Sequence, residues 1–99
     1  MSEPVERYIV ALTTTTREPL DSLSEWIEYG ASPRATIALD LCARAHAWLS
    51  GREFVTPEDV QAIAHDVFRH RLILTFEAQA QGITSNQIID RLLAAVPTP

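Results

Sequence analysis

The stretch VTPEDV, residues 55–60, constrains this chain more than any other, because it fits the start of a helix and little else. Thr56 stands where an N-cap oxygen is wanted, Pro57 suits the first helical position, and Asp59 takes the third, an acidic variant of the capping box. Val55 and Val60 hold the two positions of a hydrophobic staple. Val60, Ile63, Ala64, Val67 and Phe68 then recur on one face, and Arg69, His70 and Arg71 suit the negative end of the helix dipole. A second such start is ITSNQI, residues 83–88, with Thr84 and Gln87 at capping-box spacing and Ile83 and Ile88 as the staple. Its apolar face runs through Ile88, Ile89, Leu92, Leu93 and Val96 until Pro97 and Pro99 stop it.

Two further helices are predicted upstream. Val5, Tyr8, Ile9 and Leu12 follow one helical face over residues 4–16, with Glu3 and Glu6 at the start and Arg17 at the end. The four threonines at 13–16 are poor helix formers, so fraying is expected there. REPLDSLSEWIEYG reads as a linker with a short helical turn around residues 23–27. The next helix spans residues 33–49, with Ser32 as N-cap, Pro33 as first helical residue and Gly51 as the stop. Thr36, Asp40 and Arg44 form one narrow polar stripe, in which Asp40 and Arg44 are spaced to pair. The remainder is Ala, Ile, Leu, Cys and Trp, with His46 the exception, and a central, mostly buried helix is expected. After the VTPEDV helix, Leu72, Leu74 and Phe76 alternate as an extended piece would, while FEAQAQ fits a helical turn; the sequence does not choose. The expectation is one all-α domain over residues 1–99, with four main helices and an extended candidate near residues 72–76. Such short helices are not stable alone, so their apolar faces must pack together.

Charge and composition narrow the function. A net charge of −5, from 13 acidic and 8 basic residues, argues against gripping nucleic acid, although the TPEDV helix loosely resembles part of a helix-turn-helix. All the basic residues are arginines, so a Schiff-base lysine and a complete GxxxxGK[ST] phosphate loop are both excluded from this chain. Cys42 is the sole cysteine, which rules out an intrachain disulfide and suits a reducing cytoplasm. No apolar run approaches the roughly 18 residues of a membrane span, and the acidic MSEPVERY is not a secretory signal. A cytoplasmic protein is expected. His46, His65 and His70 show no HxxH or HExxH spacing and read as satisfied or surface histidines, so no metal site is expected. Nothing resembling GxSxG marks a nucleophile.

One residue breaks the local rules. Arg34, in GASPRAT, puts a cation in the first turn of its helix, where acidic side chains are favoured. It is also off the polar stripe, sharing a row with Ala38, Leu41, Ala45 and Trp48. Such misfits mark strained or functional positions. On the residues alone, Arg34 snorkels outward, or pairs with Glu28 or another nearby carboxylate, or forms an anion site in which a guanidinium fork and a helix N-terminus converge on phosphate. Trp26 and Tyr29, just before Gly30, are candidates for lining an interface beside it.

The run GASPRATIALDLCARAHAWLSGREFVTPEDVQAIAHDVFRHRLIL closely resembles the C-terminal lid of MoxR-family AAA+ ATPases. The likeness extends through FEAQAQGITSNQIIDRLLAAVPTP and back to VERYIVALTTTTR, nearly the whole chain. GASPRA, then GRxxVTPEDV, then RHRL is specific in combination, whereas VTPEDV alone is simply a good helix start. The resemblance implies that Arg34 is the sensor 2 arginine, reaching to the phosphates of ATP, with Ala31, Ser32 and Pro33 close to the nucleotide. It implies ATP and Mg2+ as cofactors of the full-length protein, and none for an isolated lid. It further implies an ATPase core of the same chain, neighbouring subunits of a hexamer, chaperone-like work on client proteins, and von Willebrand factor A-domain partners. The core motifs of such an ATPase are missing from these residues, so an isolated lid without ATPase activity is expected. The alternative is a stand-alone acidic helical adaptor for another protein.

Overall fold

In the computed structural model, which describes residues 2–18 and 22–99, the order is α1 (Glu3–Arg17), α2 (Ser22–Trp26), β1 (Ile27–Tyr29), α3 (Arg34–Leu49), α4 (Pro57–Phe68), β2 (Ile73–Leu74), α5 (Phe76–Ala80) and α6 (Ser85–Ala95). The four long helices are the four that the periodicity predicts. The short α2 overlaps the helical turn expected in the linker, although Ile27 belongs to β1 instead. Residues 19–21 of that linker lie outside the described residues.

The open choice at residues 72–76 resolves both ways. Ile73 and Leu74 are extended, and a helical turn starts at Phe76. β2 pairs antiparallel with β1, Ile27 facing Leu74 and Tyr29 facing Ile73 across an irregular register. Thr75 strengthens the junction, its amide donating to Trp26 O at 2.9 Å and its hydroxyl to Glu25 O at 2.7 Å. The little sheet therefore anchors the chain just before Gly30.

α4 and α6 begin as their sequences require. Thr56 and Asp59 form a complete capping box, as do Thr84 and Gln87. At the other end of α4, Arg71 donates to Val67 O at 2.6 Å, satisfying a carbonyl of the last turn. α3 packs most extensively on α4, and α1 and α6 close the bundle. The core between them holds Leu12, Leu39, Val60, Phe68, Ile88, Ile89 and Leu92, all fully buried.

Three expectations need correction. The threonine-rich end of α1 does not fray: the helix continues to Arg17, with Thr13 and Thr16 buried. Tertiary contacts override the weak helix propensity, because the hydroxyls find partners. Thr13 donates to Ile9 O at 3.3 Å, Thr15 to Ala11 O at 2.7 Å and Thr16 to Thr13 O at 2.6 Å. Second, Ser32 is not a side-chain cap. Pro33 already holds helical angles (φ −55°, ψ −22°), and no side-chain cap closes the start of α3 among the described residues. Ala35 N instead donates to Ser32 O at 2.9 Å and Thr36 N to Pro33 O at 3.1 Å, a tight first turn that uses the amides a serine hydroxyl would take.

Third, α3 is not mostly buried. Only Ala35, Leu39, Ala43 and Ala47 are buried, one stripe at four-residue steps. Ile37, Leu41, Trp48 and Leu49 are each more than 60% exposed, and Cys42 is also exposed. Small residues on the stripe let α3 approach its neighbours closely, which leaves the larger apolar side chains outside.

Candidate functional site

The site is built where the end of α1 meets the start of α3. The Thr16 hydroxyl, fully buried, accepts a hydrogen bond from Ala31 N at 3.0 Å while donating to Thr13 O. Gly30 lies directly against the Thr16 carbonyl; a β-carbon there would fall within 2.6 Å of Arg17 N and closer still to Thr16. A third tie runs from the Thr36 hydroxyl to the Thr13 hydroxyl at 3.2 Å. The loop entering α3 is thus held by backbone and hydroxyl contacts from one turn of α1.

This arrangement separates the four sequence-predicted site residues. Ala31 is fully buried, and its amide is committed to Thr16, so it holds the loop. Ser32, Pro33 and Arg34 are exposed side by side. Among the described residues, no carboxylate lies within ion-pair distance of Arg34, and the anticipated pairing with Glu28 is not formed. The exposed guanidinium presents a planar fork of donors suited to phosphate oxygens. The helix amides contribute less than the sequence suggests. Pro33 has no N–H, and Ala35 N and Thr36 N are already bonded within the first turn. Any anion contact here falls chiefly to the side chain of Arg34.

Arg34 also begins an exposed apolar row. Leu41 and Trp48 follow on it, both largely uncovered. Trp26 does not join this surface: its ring packs under the guanidinium of Arg91 from α6, at 5.1 Å. The side chain of Tyr29 lies outside those described. Sequence reasoning missed Thr13 and Thr16. The signal was present, in a run of threonines that a helix end does not require, but it points to fraying unless the partner strand of chain is known.

Two of the three histidines lie against carboxylates. His46 Nδ1 lies 2.7 Å from Asp59 Oδ1, and His65 Nε2 lies 2.7 Å from Asp90 Oδ1. No group of three or more His, Cys, Asp or Glu side chains among the described residues is placed to hold a metal. No described helix is long and apolar enough to cross a membrane.

The AAA lid domain family matches residues 23–92, from α2 to near the end of α6. The chain belongs to this family. The lid is 38% identical over 96 residues to the protein named Chaperone MoxR1 of Mycobacterium tuberculosis, covering 93% of this chain and 26% of the relative. It is 33% identical over 108 residues to Protein MoxR of Paracoccus denitrificans, covering 99% of this chain and 32% of that one. The crystal structure of a candidate ATPase from Cytophaga hutchinsonii superposes on the lid with a TM-score of 0.94 at 42% identity, over 99% of this chain and 31% of that one. The lid therefore spans about a quarter to a third of the length of the relatives it matches. These likenesses identify it as the lid of a MoxR-family AAA+ ATPase.

Proposed function

We propose that this lid closes over ATP held with Mg2+ by a core domain of the full-length protein, and that Arg34 is its sensor 2 arginine. The guanidinium stabilises negative charge on the phosphates as hydrolysis proceeds. A single observation carries the reading: an exposed guanidinium without a carboxylate partner among the described residues stands at a helix start hydrogen-bonded to α1 through Ala31 N and Thr16. Ser32 and Pro33 line the approach, and buried Ala31 fixes the loop behind them.

The uncovered row of α3 supports a docked core. Leu41 and Trp48 share the row of Arg34, so a domain that brings phosphate to Arg34 also covers apolar surface along the helix. Nucleotide turnover would then rotate lid against core and pass the cycle around a hexameric ring. Chaperone-like remodelling of clients follows from the likeness to a relative so named, and a von Willebrand factor A-domain partner rests on the family resemblance alone.

Steady-state ATP hydrolysis by the full-length protein tests the central claim. Arg34→Ala lowers kcat on the order of a hundredfold, the scale for losing one charge-stabilising donor. Arg34→Lys, which keeps the charge and loses the fork, recovers only part of it. Unchanged turnover in Arg34→Ala rejects the sensor 2 role. Residues 1–99 alone should not hydrolyse ATP.

A further inference from the structure

We propose that Thr16 is a positioning residue for Arg34, its hydroxyl locking the start of α3 to the last turn of α1 so that the guanidinium is carried by α1. The proposal rests on the sensor 2 reading of Arg34.

The covalent chain does not fix Arg34 relative to α1. Thr16 and Ala31 are 15 residues apart in sequence, and what joins them is the hydrogen bond from Ala31 N to Thr16 Oγ1 at 3.0 Å. That hydroxyl is fully used, accepting from Ala31 and donating to Thr13 O at 2.6 Å, and is fully buried. Ala31 is fully buried too, so without the hydroxyl its amide would be stranded away from water. The loop would have to move to recover a partner.

Nothing in α1 itself asks for threonine here. Threonine is a modest helix former, and its hydroxyl competes for helix carbonyls. A residue disfavoured locally and fully satisfied over long range is there for the long-range contact. The neighbouring contacts agree. Gly30 permits the loop to lie flat on the Thr16 carbonyl, and Thr36, two residues past Arg34, bonds to Thr13 at 3.2 Å. Arg34 is held between the two ties, and the bonds from Ala35 N to Ser32 O and from Thr36 N to Pro33 O stiffen the intervening turn. Charge-assisted contacts to phosphate tolerate little displacement, and a shift of about 1 Å can cost on the order of a hundredfold in rate.

The test is ATP turnover by the full-length protein in a double-mutant cycle. Thr16→Val keeps the shape and removes the hydroxyl; it should lower kcat about tenfold, and Thr16→Ser should restore it, because rate follows placement. In an Arg34→Ala background, Thr16→Val should have no further effect on kcat, although it lowers the thermal midpoint in both backgrounds. A merely structural threonine gives the opposite pattern, with the same fractional loss whether or not Arg34 is present, and that result overturns the proposal. So does unchanged kcat in Thr16→Val where Arg34→Ala is slow, an outcome that leaves the sensor reading standing. Unchanged kcat in Arg34→Ala overturns both. Should Thr16→Val not fold, Thr16→Cys, which puts a weak hydrogen-bonding thiol in place of the hydroxyl, carries the same test: a loss that vanishes without Arg34 supports the lock, and no loss or a persistent one rejects it.

Discussion

His46 Nδ1 lies 2.7 Å from Asp59 Oδ1, tying the C-terminal half of α3 to the first turn of α4. The same carboxylate oxygen receives Arg52, from the connection between the helices. The other oxygen accepts from Thr56 N at 2.8 Å and Thr56 Oγ1 at 2.9 Å. One fully buried carboxylate thus closes the cap of α4 and fastens the turn that brings α4 back along α3.

Asp59→Ala should therefore cost more than a helix cap. A lost cap alone is worth about 1 kcal/mol; Asp59→Ala also removes the partner of His46 and Arg52, which are partly exposed and can rehydrate, so a total of about 2 kcal/mol is expected. Urea unfolding of residues 1–99 should show the larger figure, and Asp59→Asn, which keeps an acceptor for Thr56 N, should lie between. A loss near that of a simple cap would mean that His46 and Arg52 contribute nothing through Asp59.

The same carboxylate makes stability depend on acid. Burial by itself would raise its pKa. The Thr56 amide, His46, the Thr56 hydroxyl and the Arg52 charge outweigh burial and hold the group below the ordinary carboxylate range. With the folded value depressed, the contribution is fully present above the unfolded value of about 3.9. It is lost as pH falls from there through the lower folded value, because the unfolded chain takes up the proton first. Urea midpoints measured between pH 5 and pH 2 should fall for the wild type by a component that Asp59→Asn lacks. Parallel curves for the two proteins would show that Asp59 is not the linked group.

What the sequence reveals follows from what is local. Both capping boxes are legible, because every participant lies within three residues of the cap. Asp59 is recognisable as a capping residue, but its burial is not, since His46 and Arg52 reach it only through the fold. The threonines of α1 are misread for the same reason: propensity describes an isolated helix, and Thr16 is satisfied by Ala31. Arg34 is legible as a misfit in charge and in face. The exposure of α3 is not legible, because an apolar row left uncovered has the same periodicity as one already packed.

That last distinction can be measured within two residues. Leu39 is fully buried on the stripe of α3, while Leu41 is 63% exposed on the row of Arg34. Leu39→Ala should destabilise residues 1–99 by about 3 kcal/mol through lost burial and a residual cavity, and Leu41→Ala should stay within about 0.5 kcal/mol. Equal losses would place Leu41 in the core of the lid itself. In the full-length protein, covering of the row by a core domain should make Leu41→Asp far more damaging to thermal stability than it is in residues 1–99.

Gly30→Ala tests the contact beneath the site. An added methyl would meet the Thr16 carbonyl and Arg17 N, which are backbone atoms of α1 and not the movable end of a side chain. Either α1 or the loop must shift, and overpacking of this kind costs about 2 kcal/mol. The loop is the weaker element, because the bond from Ala31 N to Thr16 is its one hydrogen bond to α1 ahead of Arg34 among the described residues. Urea unfolding of residues 1–99 should show the loss, and the Ala31 amide should exchange with solvent faster in the variant. Leu39, fully buried farther along α3, should keep its protection relative to the lowered global stability. Full stability with an unaltered Ala31 amide would mean that the loop does not rest directly on the Thr16 carbonyl.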